Sequence, residues 1–545
     1  TRSGLRSTRR RASCTRTANT SSRSPTAASS VPIRWLSFGS IGRDSTRRFC
    51  RLKTAWLRKT SRPTDHLLLH LYIHHSISDL RNKLSCGELT CTDVVTSYLN
   101  TISNRSHLNA FVEVYAEEAL QKAAELDARL QKPETWGKLF GVVIGIKDVL
   151  CYRDHHVGAS SAILKGYRAI YNATAIQRLL DEDAIIIGNL NCDEFAMGAS
   201  NENSAFGPVL NAVDPSRVPG GSSGGSAVAV QANMAHAALG TDTGGSIRQP
   251  AAFTGVVGLK PTYGLVSRWG LLAYASSFDQ VGPMTKSIED SALLTEIMAG
   301  ADGQDASMFQ RPAPKFSAPT APSKAKFAVM REAIHGEGID SEVKSMMMGL
   351  IAKLESAGHE VTYFDFPLLD HMVPVYYVIT TAEASSNLSR YSGMMYGKRS
   401  ENAHDLESTY VLSRTEGFGE EVKRRIMLGT FVLSSDQYDA YYEKAQKVRQ
   451  IIRTETEKIL ADADAILLPT TSTPAFKLGE KASNPVAMYM ADLLTVQANL
   501  AGNPAISIPG GKTESGLPMG VQLMTGILEE QSLFDLSKLV EEILG

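Results

Sequence analysis

The sequence predicts an α/β fold, a β-sheet with helices packed on its faces. Three observations predict it. Two short apolar runs, "LFGVVIGIKDV" (139–149) and "DAIIIGNLN" (183–191), read as buried strands. Between them, "TAIQRLLDE" (174–182) spaces its apolar residues as one face of a helix would. Strand, helix and strand in that order is the pattern of a sheet under helical cover.

The other elements follow along the chain. "SISDLRNKLSCGELTCTDVVTSYLNTI" (76–102) repeats the three-and-four apolar spacing and predicts amphipathic helices, and "AEEALQKAAELDARLQ" (116–131) predicts another. "AVAVQANMAHAALG" (227–240) is apolar and long enough to be buried. "QRPAPKFSAPTAPSKAK" (310–326), rich in Pro, Ala and Ser, predicts a surface loop within one sheet rather than a domain boundary. Residues 380–460 are mostly helical in pattern and close with "QYDAYYEKAQKVRQIIRTETEKIL". "ADAILLPTT", "PAISIPG" and "MGVQLMTG" read as strands, and "EEQSLFDLSKLVEEIL" (529–544) as a final helix.

The net charge of -1 hides a division. Residues 1–62 hold 14 Arg, 2 Lys and one acid, Asp44, which leaves 40 basic against 56 acidic groups in the other 483 residues. Nucleic-acid contact by so acidic a body would need a local patch or a partner. Residues 1–65 form an Arg/Ser-rich extension, expected to be disordered or not native; the chain opens on Thr1 and its first methionine is Met197. A mitochondrial transit peptide has the same composition. Residues 66–545 are expected to be one catalytic domain. The six cysteines show no CxxC spacing, which suggests a reducing compartment. No apolar run reaches about 18 residues, so a membrane span is not expected.

Chemistry concentrates in two glycine-rich segments. "VPGGSSGGSAVAV" (218–230) runs straight into an apolar stretch, unlike a linker, and lacks the Lys-Ser/Thr pair of a phosphate-binding P-loop. "GTDTGGSIRQPAAFTG" (240–255) sets two glycines before Ser246 at a turn into a helix. Glycines let peptide N–H groups converge on one point, which suits a developing oxyanion, and a serine there is a candidate nucleophile beside the alternative of a plain structural turn. No histidine lies in either segment, and His236 reads as a core residue. Lys147 ends an apolar strand, where burial would favour its neutral form; pairing with Asp148 is the competing reading.

Lys147 in "GIKD", Ser222 in "PGGSSGGS" and Ser246 in "DTGGSIRQP" together resemble the amidase signature family. The resemblance implies a central mixed β-sheet covered by helices on both faces and a Ser–cis-Ser–Lys triad. In that triad Ser246 is the nucleophile, Ser222 the bridging serine and Lys147 the base. It also implies backbone N–H groups of Thr243, Gly244, Gly245 and Ser246 as oxyanion donors. "DEFAMGASNENSAFGP", "GVVGLKPTYGLVSRWG", "AYASSFDQVGP", "AEASSNLSRY", "GEEVKRRIMLGTFVLSS" and "YMADLLTVQANLAGNPAISIP" are similar to the branch whose members hydrolyse glutamine for tRNA-dependent amidotransferases. That branch implies Arg425, with Arg424 as the neighbour to which the assignment could slip, Asp492 and Tyr377 as holders of glutamine. It implies partner subunits B and C, contact with misacylated tRNA through the complex, ATP and Mg²⁺ used by a partner, and no cofactor or metal in this chain. A bacterial cytoplasm is the expected location, with the mitochondrial matrix as alternative. A stand-alone amidase acting on another carboxamide is the alternative function.

Overall fold

Alternation in two strands shows how the molecule is layered. In the computed structural model, Phe327 and Val329 of one strand and Ala465 and Leu467 of another join one apolar cluster, whereas Ala328, Met330, Ile466 and Leu468 join a second. Successive strand side chains point to opposite faces, so the sheet has a core on each side. The structure describes residues 76–545 apart from 482 and 483, and the extension expected over 1–65 lies outside the described residues.

The strands are β1 (Phe111–Val114), β2 (Val143–Lys147), β3 (Ile185–Leu190), β4 (Ala237–Asp242), β5 (Val257–Lys260), β6 (Gln280–Thr285), β7 (Lys326–Met330), β8 (Glu360–Phe364), β9 (Ala465–Pro469), β10 (Ala505–Lys512) and β11 (Pro518–Met524). They form one sheet in the order β1-β3-β2-β4-β6-β5-β10-β11-β9-β7-β8. The sheet is mixed. β2 is parallel to β3 and β4, β7 is parallel to β8 and β9, and antiparallel pairs join these groups.

Helices cover it. α1 (Ile77–Ser85) and α2 (Cys91–Asn104) are the amphipathic pair expected at the start, each with a side-chain cap: Ser76 accepts from the Asp79 N–H, and Thr90 forms a capping box with Asp93. α3 (Ala116–Asp127) and α4 (Thr174–Asp181) follow. Four more bear on the site: α5 (Gly224–Gln231), α6 (Arg248–Thr254), α7 (Leu369–Asn387) and α8 (Glu420–Val432). α9 (Lys444–Ala461) is preceded by a π-helical turn, Asp439–Glu443, where the sequence predicted one unbroken helix. The closing helix is α10 (Glu530–Leu544). Residues 310–325 carry no regular element, and the strands after them join the same sheet, as expected.

One apolar stretch resolves differently from its pattern. "AVAVQANMAHAALG" splits into the end of α5 and the start of β4, with Asn233 at φ 58° in the break. Apart from Gln231 at the helix end, both pieces are enclosed, so neither shows the polar alternation that would have marked the change of period. Among the described residues no helix is long and apolar enough to cross a membrane.

Candidate active site

Parallel pairing of β2 and β4 matches Ile144 with Ala237 and Ile146 with Leu239, so both strands end side by side. A ligand site in an α/β sheet commonly lies at such strand ends. Lys147 is the last residue of β2 and has no solvent exposure. Its Nζ donates to Ser222 Oγ at 2.7 Å, Ser223 Oγ at 2.9 Å and Thr241 Oγ1 at 2.9 Å. Burial pushes its pKa down to about 8, against the opposing pull of Cys192, Asp193, Asp242 and Asp279. Asp148 is not its partner. That carboxylate turns away to accept from the N–H groups of Gly158 (2.8 Å) and Ser160 (2.7 Å) and from Asn189 Nδ2 (2.5 Å).

Ser222 enters on a cis Gly221–Ser222 peptide just before α5. Gly221 has to be glycine: a Cβ there would lie 2.1 Å from Asp193 Oδ2 and 2.8 Å from the backbone nitrogens of Ser200 and Asn201. Ser246 stands across from this turn, its carbonyl accepting from the Ser223 N–H at 3.1 Å. Among the described residues the Ser246 hydroxyl has no hydrogen-bond partner, Ser222 included. The structure thus brings Lys147 and Ser222 into contact and anchors Ser246 through its backbone.

The loop between β4 and α6 is shaped by a buried ion pair. Arg248 donates from Nε and Nη2 to Asp242 (3.0 and 2.9 Å), with further bonds to Thr495 O, Gln522 Oε1 and Asn499 Oδ1. Burial alone would raise the Asp242 pKa; the guanidinium outweighs it and holds the carboxylate at about 2. Asp242 Oδ1 also accepts from the Gly245 N–H at 2.9 Å. That donor is committed to the loop itself, and Gly245 therefore drops out of the expected oxyanion set. The Thr243, Gly244 and Ser246 N–H groups carry no such bond. Gly245 sits at φ 134°, and a Cβ on it would meet Thr495 Oγ1 at 2.2 Å. Thr243 Oγ1 donates to Asp279 (2.8 Å), and Thr495 Oγ1 to the Gly244 carbonyl (2.6 Å), so the loop is fixed from both sides.

Arg425, on α8, is buried, while Arg424 is half exposed; both pair with Glu421 and line one cleft. Arg425 Nε donates to Glu421 Oε1 (2.8 Å) and Nη1 to Tyr274 Oη (2.8 Å), and its Cζ lies 5.1 to 5.6 Å from the ring centres of Tyr274, Tyr377 and Tyr489. Tyr377, from α7, stacks on Tyr489 at 4.1 Å. Asp492 is buried three residues beyond Tyr489, and burial pushes its carboxyl up to about 8 despite the charge of Arg425. A cleft of about 320 Å³ reaches from Gly198 and Ser200, beside the Gly221 turn, to Arg425, Tyr489 and Lys481. Among the described residues no group of three His, Cys, Asp or Glu side chains is placed to hold a metal.

Several contributors escaped the sequence reading. Ser223 and Thr241 share the Lys147 ammonium, and Asp242, Arg248 and Asp279 shape the loop. Tyr274, Glu421 and Tyr489 frame Arg425. The usable signal was a charged pair six residues apart, Asp242 and Arg248, inside a glycine-rich apolar segment where neither could stay solvated.

A sequence profile of the family described as amidase matches residues 93–534. A protein from Chlorobium phaeobacteroides (strain BS1), named as the A subunit of glutamyl-tRNA(Gln) amidotransferase, is 47% identical over 468 residues, covering 86% of this chain and 98% of its own. The crystal structure of the protein of that name from Thermotoga maritima is 38% identical, with a TM-score of 0.70 over 86% of this chain and 95% of its own. The native peptide amidase from Stenotrophomonas maltophilia is 28% identical, with a TM-score of 0.73 over 86% of this chain and 97% of its own.

Proposed function

The chain belongs to the amidase family, and on that footing we propose that it is the glutamine-hydrolysing component of a tRNA-dependent amidotransferase. The observation that carries the reading is the Lys147 Nζ–Ser222 Oγ contact of 2.7 Å, sealed from solvent beside a glycine-rich loop that ends in Ser246. The relatives named as amidotransferase components, matched over nearly their whole length, support the assembly.

Lys147, neutral in a useful fraction near pH 8, takes a proton from Ser222 as Ser222 takes one from Ser246. Ser246 Oγ attacks the side-chain amide carbon of glutamine, and the N–H groups of Thr243, Gly244 and Ser246 receive the oxyanion. The relay returns the proton to the leaving nitrogen, ammonia departs, and water hydrolyses the glutamyl ester on Ser246. Arg425, buried where Arg424 is half exposed, meets the α-carboxylate through Nη2, Tyr377 packs against its guanidinium, and Asp492 accepts from the α-ammonium.

Ammonia then serves the conversion of Glu-tRNA(Gln), or of Asp-tRNA(Asn), to its amidated form. Of the partner subunits B and C, the first uses ATP and Mg²⁺ and the second, a small protein, joins the other two; misacylated tRNA is met through the complex. The site of action is the cytoplasm. The test is ammonia release from glutamine by the chain co-expressed with both partners from its own genome. Release that requires the partners and is lost in Ser246→Ala is the expected result. Release by the chain alone, or from other amides in preference to glutamine, would replace this reading with a stand-alone amidase.

A further inference from the structure

Two polar side chains in the segment that packs on Gly221 are buried without a full set of partners: Ser200 at Oγ and Asn201 at Nδ2. They differ. Asn201 Oδ1 accepts from the Gly225 N–H at 3.2 Å, so that side chain already works as a brace for α5. Ser200 Oγ has no hydrogen bond at all, although the residue is fully buried. A hydroxyl placed so is costly to the fold, and folds keep few of them.

Its location says what it is kept for. Ser200 lines the same cleft as Arg425, Glu421 and Tyr489, and its backbone touches the Gly221 turn that presents Ser222. Arg425 has spent Nε on Glu421 and Nη1 on Tyr274, which leaves Nη2 as its uncommitted edge. A carboxylate held by one edge of a guanidinium still has lone pairs to fill, since its two oxygens offer about four acceptor positions. A neutral O–H donor is the complement that adds no charge to a buried site.

We propose that the Ser200 hydroxyl donates to the α-carboxylate of the bound amino-acid amide, completing with Arg425 the set that tells an amino acid from a simple carboxamide. This rests on the reading of Arg425 as the carboxylate's partner. Ser200 is thus a specificity-determining residue whose bond is made only in the complex.

The experiment compares Ser200→Ala and Arg425→Ala with the unsubstituted chain, each with its partner subunits. Ammonia release is measured from glutamine and from butyramide, which lacks the α-carboxylate, and thermal unfolding is recorded without substrate. For Ser200→Ala the KM for glutamine should rise about tenfold, the size of one hydrogen bond to a charged group, with kcat nearly kept. Butyramide turnover should hold, and Tm should stay or rise, because an unsatisfied hydroxyl has been removed. An unchanged glutamine KM would overturn the proposal, as would equal losses on both substrates with a lowered Tm, the mark of a structural hydroxyl. If Arg425→Ala spares glutamine, the carboxylate reading itself fails, and a KM effect of Ser200→Ala then belongs to another group of the substrate.

Discussion

A lysine sealed from water among three hydroxyl oxygens gives up its proton more readily than one on the surface. With Lys147 at about 8, kcat/KM for glutamine should climb as pH rises through that value and level off above it; a pH–rate profile with saturating partner subunits measures this. Lys147→Ala should lower kcat by about 10²–10⁴-fold and flatten the profile. The same shift acts on stability. Between about 8 and the ordinary 10.5 the unfolded chain holds the extra proton, so this group's contribution to stability rises with pH across that window. Asp492 predicts a proton balance. At pH 7 its carboxyl, raised to about 8, is mostly protonated, and an ammonium docking on it restores the charge. Glutamine binding to Ser246→Ala should therefore release up to about one proton, visible as buffer-dependent heat in calorimetry and absent in the variant that also carries Asp492→Asn. Residues of this kind were legible where a motif carried them: Lys147, Ser222, Ser246 and Arg425 all sit in the quoted stretches. The commitment of the Gly245 N–H to Asp242 was not, because nothing in "TDTGGS" says which way a buried carboxylate will turn.

The element that matters most is the turn from β4 into α6. It has no side-chain cap at its helix start, and its order comes from the Asp242–Arg248 pair and from Thr495 gripping the Gly244 carbonyl. Replacing Arg248 by Met would leave Asp242 buried and unpaired, a loss of about 3–5 kcal/mol that urea unfolding would register. Acid should act on the same pair: its stabilisation is complete above the unfolded value of 3.8 and disappears as pH falls through about 2. Gly245→Ala combines a φ unsuited to alanine with a Cβ driven into Thr495, so its kcat should fall by on the order of 10²-fold as the oxyanion donors shift. Helix periods and strand runs were readable for α1 to α4, β2, β3 and α10, where one face or both meet apolar neighbours in the expected rhythm. The α5–β4 boundary was not, since near-complete enclosure erases the polar half of either rhythm.

Across the whole molecule, the α/β class followed from local pattern, but strand order did not. Pairing β5 with β10, and β9 with β11, joins segments far apart in sequence whose apolar faces would fit many neighbours. β10 and β11 join the two halves of the sheet, so deleting residues from 505 onward should leave β5, still paired with β6, and β9, still paired with β7, each with one open edge. The expected product is an insoluble or protease-sensitive chain without glutaminase activity, whereas an active, soluble product would show that the remaining strands can pair by themselves.

That central seat has a bearing on biosynthesis. While the chain is still leaving the ribosome, β1 to β6 and β7 to β9 can each assemble, yet no strand links the two groups. The linking pair follows all of these strands, and Thr495, Asn499 and Gln522, which hold the catalytic loop, lie just before it or within it. A nascent chain shorter than this is therefore a pair of half-sheets with apolar flanks open to chaperones, and hydrolytic competence waits until the linking pair has joined them.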